Sequence, residues 1–117
     1  MKKEFIPYEE ALALKELGFD EKCLKCYWYD GMIDNGFNLI NWNSQDGCFN
    51  APLYQQAFRW FRDEYDLYAD IHRIGIKYNA EIECMGLGNS LVTVCEQVLY
   101  EEAELSCLRQ LIEIVKK

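Results

Sequence analysis

The sequence predicts an α+β fold in which three helices pack on one face of a mostly antiparallel sheet, in the order α-β-β-α-β-β-β-α. Apolar residues recur with helical spacing in three segments of the chain. The segments between these helices are rich in β-branched and aromatic residues, or alternate apolar with polar residues, and are separated by turns that contain Gly. At 117 residues the chain has the length of one typical domain. We therefore expect a single compact domain over residues 1–117.

The first predicted helix covers residues 8–17, YEEALALKEL. Pro7 suits the first turn, and Glu9 and Glu10 favour the positive N-terminal end of the helix dipole. Gly18 can adopt the left-handed conformation that ends many helices. The inner face is expected to contain Tyr8, Ala11, Leu12, Leu14 and Leu17.

A strand is predicted next, over residues 23–29, CLKCYWY. Asp30-Gly31 is a hairpin signal that leads into Met32 and Ile33. Asn35-Gly36 offers a second turn before residues 37–42, and the sequence leaves open which turn closes the hairpin. Residues 43–50 contain Asn, Ser, Asp and Gly, so we predict a loop there.

The central helix is predicted over residues 51–65, APLYQQAFRWFRDEY. Its large apolar residues have the spacing of a buried helix face, with Trp60 beside them: Tyr54, Ala57, Phe58, Phe61 and Tyr65. The charged residues Arg59, Arg62, Asp63 and Asp66 fall on the other side. There Arg59 with Asp63, and Arg62 with Asp66, are four residues apart and are expected to pair weakly in solvent.

Two-residue alternation predicts strands over residues 67–74 and 76–84. In the first strand Leu67, Ala69 and Ile71 are expected to face inward, and Tyr68, Asp70 and His72 outward. In the second strand the inward set is Ile76, Tyr78, Ala80, Ile82 and Cys84, and the outward set is Lys77, Asn79, Glu81 and Glu83. A third strand is predicted over residues 91–97, but its sequence does not show which of its faces is buried. A last helix over 101–115 is expected to bury Leu105, Leu108, Leu111, Ile112 and Val115.

The formal net charge of -8 is concentrated between Asp63 and Glu104, a segment with ten acidic residues and two basic ones. Such a surface repels nucleic-acid phosphates, whose binding needs clustered Lys and Arg, so direct nucleic-acid binding is not expected. Basic proteins are the natural partners. The longest apolar runs are far short of the roughly 20 residues needed to cross a bilayer, so no membrane partner is expected.

Cys23 and Cys26 form the one motif with a chemical precedent, CLKC. Two thiolates at this spacing can hold half of a tetrahedral zinc site, but there is no second CxxC, and His72 is the only histidine. Strand alternation would place the two cysteines on opposite faces. The N-terminus lacks the apolar segment of a secretory signal, so we expect a cytoplasmic protein with reduced thiols. Core cysteines are therefore favoured over a metal or redox site, and no cofactor is expected.

Asp70 and His72 are two residues apart on the outer face of a predicted strand and can form an acid–base pair. The sequence shows no companion nucleophile for this pair. Gly86-Leu87-Gly88 lacks the strand-to-helix setting of a dinucleotide site. We therefore do not expect an enzyme.

Aromatic residues crowd the first predicted hairpin and the loop beside it, more than one sheet face can absorb. Core packing is favoured for any one of them. Several exposed together would form a protein-binding patch, because Trp and Tyr dominate interface energetics. The candidates for this patch are Tyr27, Trp28, Tyr29 and Trp42.

Three helical segments carry a resemblance to a known group of proteins: FIPYEEALALKELGFD at 5–20, APLYQQAFRWFRDEY at 51–65 and YEEAELSCLRQLIEIVK at 100–116. Over these segments, nearly half of the chain, the sequence resembles small uncharacterised proteins from phages and prophages of gut bacteria. The strands between them match poorly. The resemblance implies a phage accessory protein in a bacterial host cell.

Together these observations predict a non-catalytic, cytoplasmic protein that binds a basic host protein. Asp70, Glu81 and Glu83 are the partner-binding candidates, since outward carboxylates at alternate strand positions stand roughly 7 Å apart. In this arrangement they imitate nucleic-acid phosphates toward a nucleic-acid-binding defence factor such as a CRISPR effector. A solubilising face is an equally weighted reading of the same charges. The alternatives are a self-associating structural or regulatory protein, which forms a homodimer through the hairpin aromatics, and a thiol–zinc module.

Overall fold

The computed structural model describes residues 4–28, 30–33, 40–41, 43, 48–84 and 90–116, with the backbone alone at 84 and 90–95. Its element order, α-β-β-α-β-β-β-α, and its α+β class confirm the prediction. The five strands form two antiparallel sheets, β1-β2 and β3-β4-β5. The sequence led us to expect one sheet, because periodicity identifies strands without stating which edges pair.

The contacts of the chain group into two compact units, Met1–Tyr54 and Gln55–Lys117. The first unit contains α1 and the two-stranded sheet, and the second contains α3 and the three-stranded sheet. The expectation of a single domain stays a prediction. Within the described residues, no helix is long and apolar enough to span a membrane.

Helix α1, Tyr8–Glu16, ends as the sequence predicts. Gly18 has φ +98°. The Gly18 amide donates to the Lys15 carbonyl at 3.1 Å, and the Phe19 amide donates to the Leu14 carbonyl at 2.9 Å. This pair of bonds is the Schellman arrangement, and the two residues it joins at its ends, Leu14 and Phe19, are both buried. The helix contacts β2.

Strand β1, Lys25–Trp28, pairs with β2, Cys48–Ala51, in antiparallel register. Residues 48–50 were predicted as the end of a loop, and residue 51 as the start of the central helix. Both predictions were wrong, because these residues form β2. The turn at Asp30-Gly31 is present, since the Gly31 amide donates to the Trp28 carbonyl at 2.8 Å. Ile40 pairs with Cys23, whereas the other residues of the predicted segment 37–42, apart from Asn41, lie outside the described residues.

Asn50 explains why an Asn-rich segment forms a buried strand. Its side chain is almost fully buried, and its amide nitrogen donates to the Glu21 carbonyl at 3.0 Å and to Asn41 Oδ1 at 2.8 Å. The Asn50 backbone amide donates to Asn43 Oδ1 at 2.8 Å. Asn43 in turn donates from Nδ2 to the Phe19 carbonyl at 2.7 Å. These hydrogen bonds join the segment 41–50 to Phe19 and Glu21, and they offset the desolvation of the buried Asn50 amide.

Helix α2, Tyr54–Tyr65, buries most of the predicted apolar face, namely Tyr54, Ala57, Phe58 and Phe61, and Trp60 is buried with them. Tyr65 is a correction, because it is 39% exposed and packs its ring at 5.5 Å from that of Trp60 at the helix end. The ion pair formed by Arg62 joins its Nε to Asp63 Oδ1 at 3.6 Å, where Asp66 was expected. Asp66 instead adopts φ +55° and leaves the helix.

The three-stranded sheet consists of β3 (Leu67–Ile74), β4 (Lys77–Cys84) and β5 (Ser90–Gln97). Its strand bounds agree closely with the predicted ones. Ile76 is a correction, since it belongs to the β3–β4 turn and is 79% exposed. Leu67, Ala80 and Ile82 are buried as predicted.

Helix α3, Tyr100–Lys116, contacts all three strands of this sheet. The predicted Leu108, Leu111 and Ile112 are buried, while Leu105 and Val115 are only half-buried. The buried face of α3 instead includes Ala103, Glu104 and Cys107, because this side of the helix is the one that faces the sheet. Helical spacing therefore predicted most of the buried face of α3, but the observed face is rotated slightly away from Leu105.

Candidate functional site

The side of the three-stranded sheet that carries the polar strand positions is defined here as the outer face. Strand alternation separates it from the side that carries the buried Ala80 and Ile82. The outer face is formed by Tyr68, Asp70, His72 and Ile74 of β3 and by Lys77, Asn79, Glu81 and Glu83 of β4. Tyr68, Asp70, Glu83 and Ile74 are exposed, whereas Glu81 is half-buried.

The predicted partner-binding carboxylates come together on this face, and we call Asp70, Glu81 and Glu83 the acidic patch. In the β3–β4 register Asp70 stands directly opposite Glu81, and Tyr68 stands opposite Glu83. Directly opposed residues of antiparallel strands have Cβ atoms about 5 Å apart. Three carboxylates therefore share a small area beside one exposed aromatic ring.

Two cationic side chains lie at the turn end of β3 and β4, with Lys77 on the outer face and Arg73 on the opposite side of the sheet. Lys77 Nζ lies 3.9 Å from Glu96 Oε2, in a pair in which both side chains are more than half exposed. Arg73 donates from Nε to the Gly75 carbonyl at 2.9 Å and so remains at the turn. Among the described residues, no ion pair with Lys or Arg joins Glu81 or Glu83.

Asp70 and His72 form the contact that the sequence suggested, with His72 Nδ1 2.9 Å from Asp70 Oδ2. The Asp70 side chain is 71% exposed, so water competes for this interaction. An exposed pair on an open sheet face lacks the water exclusion on which acid–base catalysis depends. That the chain is not an enzyme stays a prediction.

A cleft of about 450 Å³ lies between α2 and β3. One wall is formed by α2 and the other by four consecutive residues of β3, with Tyr100 of α3 completing the lining. The α2 wall consists of Gln55, Phe58, Arg59 and Arg62, and the β3 wall of Tyr68, Ala69, Asp70 and Ile71. Both arginines were expected on the solvent side of the helix, and the cleft was not predicted from the sequence. The helical spacing of Gln55, Phe58, Arg59 and Arg62 was the available signal, but it does not reveal that β3 runs alongside.

The phenol of Tyr100 stays protonated at this cleft. Burial raises the pKa of Tyr100, and the negative charge of Glu104 and the neighbouring Tyr78 raise it further. The Tyr78 and Tyr100 rings pack edge to face at 5.4 Å. The Tyr100 hydroxyl is therefore a hydrogen-bond donor throughout the physiological pH range.

The aromatic candidates of the first hairpin divide into three cases. Tyr27 is half-buried, donates its hydroxyl to the Ile6 carbonyl at 2.7 Å and packs against Tyr8. Trp28 is 40% exposed, and Met32 nearby is 65% exposed. Tyr29 and Trp42 lie outside the described residues. The structure therefore supports Trp28 as a surface residue and places Tyr27 in a structural role.

Cys23 and Cys26 are both buried, and neither forms a disulfide within the described residues. Cys26 lies in β1, whereas Cys23 lies before this strand and pairs with Ile40, so simple alternation does not relate their side chains. Within the described residues, no group of three or more His, Cys, Asp or Glu side chains is arranged to hold a metal ion.

Comparisons with protein-family models, curated proteins and solved structures found no match for this chain. The resemblance to phage proteins therefore stays a prediction, and functional inference depends on the geometry described above.

Replacing Glu81 with Gln is expected to raise the free energy of unfolding by about 0.5 kcal/mol, because it removes the repulsion with Asp70 across the strands. Urea titration measures this change. In an Asp70→Asn background the gain should disappear. Glu83→Gln is the matched control, since Glu83 faces Tyr68 and should gain less. Equal gains at both positions would contradict the opposition of Asp70 and Glu81.

The stability of the protein should fall at alkaline pH because of Tyr27. Burial raises the pKa of this phenol above its ordinary value, and the charge of Glu10 raises it further. The folded state thus favours the neutral phenol. This stabilisation is complete below the ordinary tyrosine pKa of about 10 and is lost as the pH rises through the folded pKa.

Tyr27→Phe should reduce the free energy of unfolding by about 1 kcal/mol at neutral pH, through loss of the bond to Ile6. Above a pH of about 10 it should decline less steeply than the wild type. Urea titrations across this pH range measure both effects. An unchanged alkaline slope in the variant would contradict the role given to Tyr27.

Proposed function

We propose that this chain is a non-catalytic, phage-encoded accessory protein that binds a basic host protein in the bacterial cytoplasm through its acidic patch. The observation that carries the proposal is the direct opposition of Asp70 and Glu81 on the outer face of the sheet. The resemblance of the three helical segments to phage proteins supports the origin and the compartment.

Like charges directly opposite each other destabilise a sheet. A face that serves solubility alone is better built from interspersed charges of both signs. In the acidic patch, the carboxylates are instead adjacent across the strands, and no described ion pair with Lys or Arg joins Glu81 or Glu83. Lysine or arginine side chains from a partner would relieve the repulsion and gain charge-assisted hydrogen bonds.

The spacing of the carboxylates supports a more specific form of the proposal. Positions two apart on one strand are roughly 7 Å apart, and opposed positions are closer, so the patch is a compact array of negative charge on a rigid sheet. Proteins that bind nucleic acids present clustered Lys and Arg to phosphates. A nucleic-acid-binding defence factor, such as a CRISPR effector, is therefore a partner of suitable charge.

A self-associating protein is the second candidate, and Trp28 is the observation that favours it. Trp28 is exposed together with Leu24 and Met32, all in the first unit. Exposed aromatic and aliphatic side chains of this kind are typical interface anchors. In this alternative, the partner is a second copy of the chain.

Charge reversal of the acidic patch tests the leading proposal. Tagged protein is expected to capture a basic protein from host lysate, and Asp70→Lys with Glu81→Lys and Glu83→Lys should abolish that capture. Capture by the wild type should weaken as salt rises, since salt screens exposed charges. Circular dichroism establishes that the variant is folded.

The matched control reverses three exposed acids of the same unit outside the acidic patch, Glu64, Glu101 and Glu113, to Lys. This control should capture the partner as the wild type does. Equal loss in both variants, or capture unchanged by the patch reversal, would refute the patch as the binding surface. A homodimer in light scattering that Trp28→Ala dissociates would favour the second candidate.

A further inference from the structure

We propose that the cleft between α2 and β3 binds a short, extended, acidic peptide segment, which adds as a fourth strand to the free edge of β3. This site goes beyond the proposed function, because its partner is acidic and its contacts are made by the strand edge and α2, while Asp70 is the one residue of the acidic patch that also lines the cleft. Three features of the cleft support the proposal: the direction of the β3 backbone groups, the charge of the opposite wall, and the size of the space.

The direction of the backbone groups follows from the β3–β4 turn. Strand β3 is at the end of the sheet order β3-β4-β5, so only one of its edges is paired within that sheet. Ile74 pairs with Lys77 across a two-residue loop, and such a closing pair exchanges both backbone hydrogen bonds. Hydrogen-bonded and non-hydrogen-bonded pairs alternate along antiparallel strands. His72, Asp70 and Tyr68 therefore direct their backbone groups toward β4.

The intervening residues direct their N–H and C=O groups away from β4. Two of them, Ala69 and Ile71, line the cleft. Among the described residues, no hydrogen bond outside the β3–β4 ladder involves the backbone of Ala69 or Ile71. Two residues thus present donors and acceptors at the spacing of a strand. A row of such groups is the template on which extended peptides add to a sheet edge.

The opposite wall determines the charge of the peptide. Arg59 and Arg62 are three residues apart on α2, and both line the cleft. The described ion pair of Arg62, with Asp63 at 3.6 Å, is exposed, and such pairs contribute little to stability. A peptide carboxylate can therefore replace it at small cost, and Arg binds carboxylates in a bidentate geometry.

The bound peptide is negatively charged, and Asp70 on the β3 wall is negatively charged as well. Alternation within the added strand keeps the peptide carboxylates away from Asp70. Successive side chains of a strand point to opposite faces. A segment with an acidic residue at every second position turns its carboxylates toward Arg59 and Arg62 and its other side chains away from them. Tyr68, which is exposed beside Asp70 on the outer face, provides aromatic surface for these other, apolar side chains. The cleft volume of about 450 Å³ restricts the bound segment to a few residues.

A capped hexapeptide of alternating valine and glutamate is the probe. It should bind in calorimetric titration, and binding should weaken as salt rises. In NMR exchange measurements, the amides of Ala69 and Ile71 should become protected, while those of Asp70 and His72 are already protected by β4. Arg59→Glu with Arg62→Glu should weaken binding by about tenfold or more.

Two controls separate this site from general charge effects. Arg109→Glu with Lys116→Glu makes the same change of charge at exposed positions of α3 outside the cleft, and should leave the affinity unchanged. The hexapeptide with lysine in place of glutamate should not bind. Glu81→Lys with Glu83→Lys should retain peptide binding, so that failure of the acidic patch and failure of the cleft are distinguishable.

The proposal is overturned if the amides of Ala69 and Ile71 gain no protection at millimolar peptide. Equal affinity for the acidic and basic hexapeptides also overturns it, as does equal loss in the two arginine variants. Protection of both amides without peptide, in a protein that is a dimer by light scattering, would assign the edge to a second copy and likewise overturn it.

Discussion

The two-residue turn at Gly75-Ile76 determines the surfaces of the second unit. It pairs Ile74 with Lys77, and this closing pair sets the register of every residue along β3 and β4. Gly75 adopts φ +64° at the first turn position, where a type II′ turn requires glycine. A slip of one residue would exchange the two faces of the strand. The opposition of Asp70 and Glu81 and the outward direction of the Ala69 and Ile71 backbone both follow from this register.

The core explains why the register tolerates repulsion on the outer face. On the other face Ala80 and Ile82 are fully buried, and α3 covers the sheet with Leu108 and Leu111, which are fully buried as well. Burial of one such Leu or Ile side chain contributes about 1.5–3 kcal/mol, whereas a cross-strand charge pair costs less than about 1 kcal/mol. The apolar side therefore decides the pairing. The outer face is left free to carry charges, as the proposed binding role requires.

The sequence predicts this unit well because its signals are local. Alternation in β3 and β4 and helical spacing in α3 require no knowledge of the partner element. The wrong predictions concern residues whose structure depends on partners outside their own segment of the sequence. Asn50 is buried in a strand because Glu21 and Asn41 accept hydrogen bonds from its amide, and loop composition does not reveal such partners. The cleft was missed for the same reason, since Arg59 and Arg62 line it only because β3 lies beside α2. The outward positions of Asp70, Glu81 and Glu83 were predicted because alternation follows from the strand pattern, whereas the opposition of Asp70 and Glu81 is known only from the observed register.

The acidic patch and the cleft are two consequences of one strand pairing, and NMR can observe that pairing directly. Non-hydrogen-bonded pairs of antiparallel strands bring their α-carbons about 4.5 Å apart, which gives strong cross-strand Hα–Hα contacts. We expect such contacts between Ala69 and Ile82 and between Ile71 and Ala80. An Hα–Hα contact of Asp70 with Glu81 in their place, or any register in which Asp70 faces a residue other than Glu81, would contradict the account.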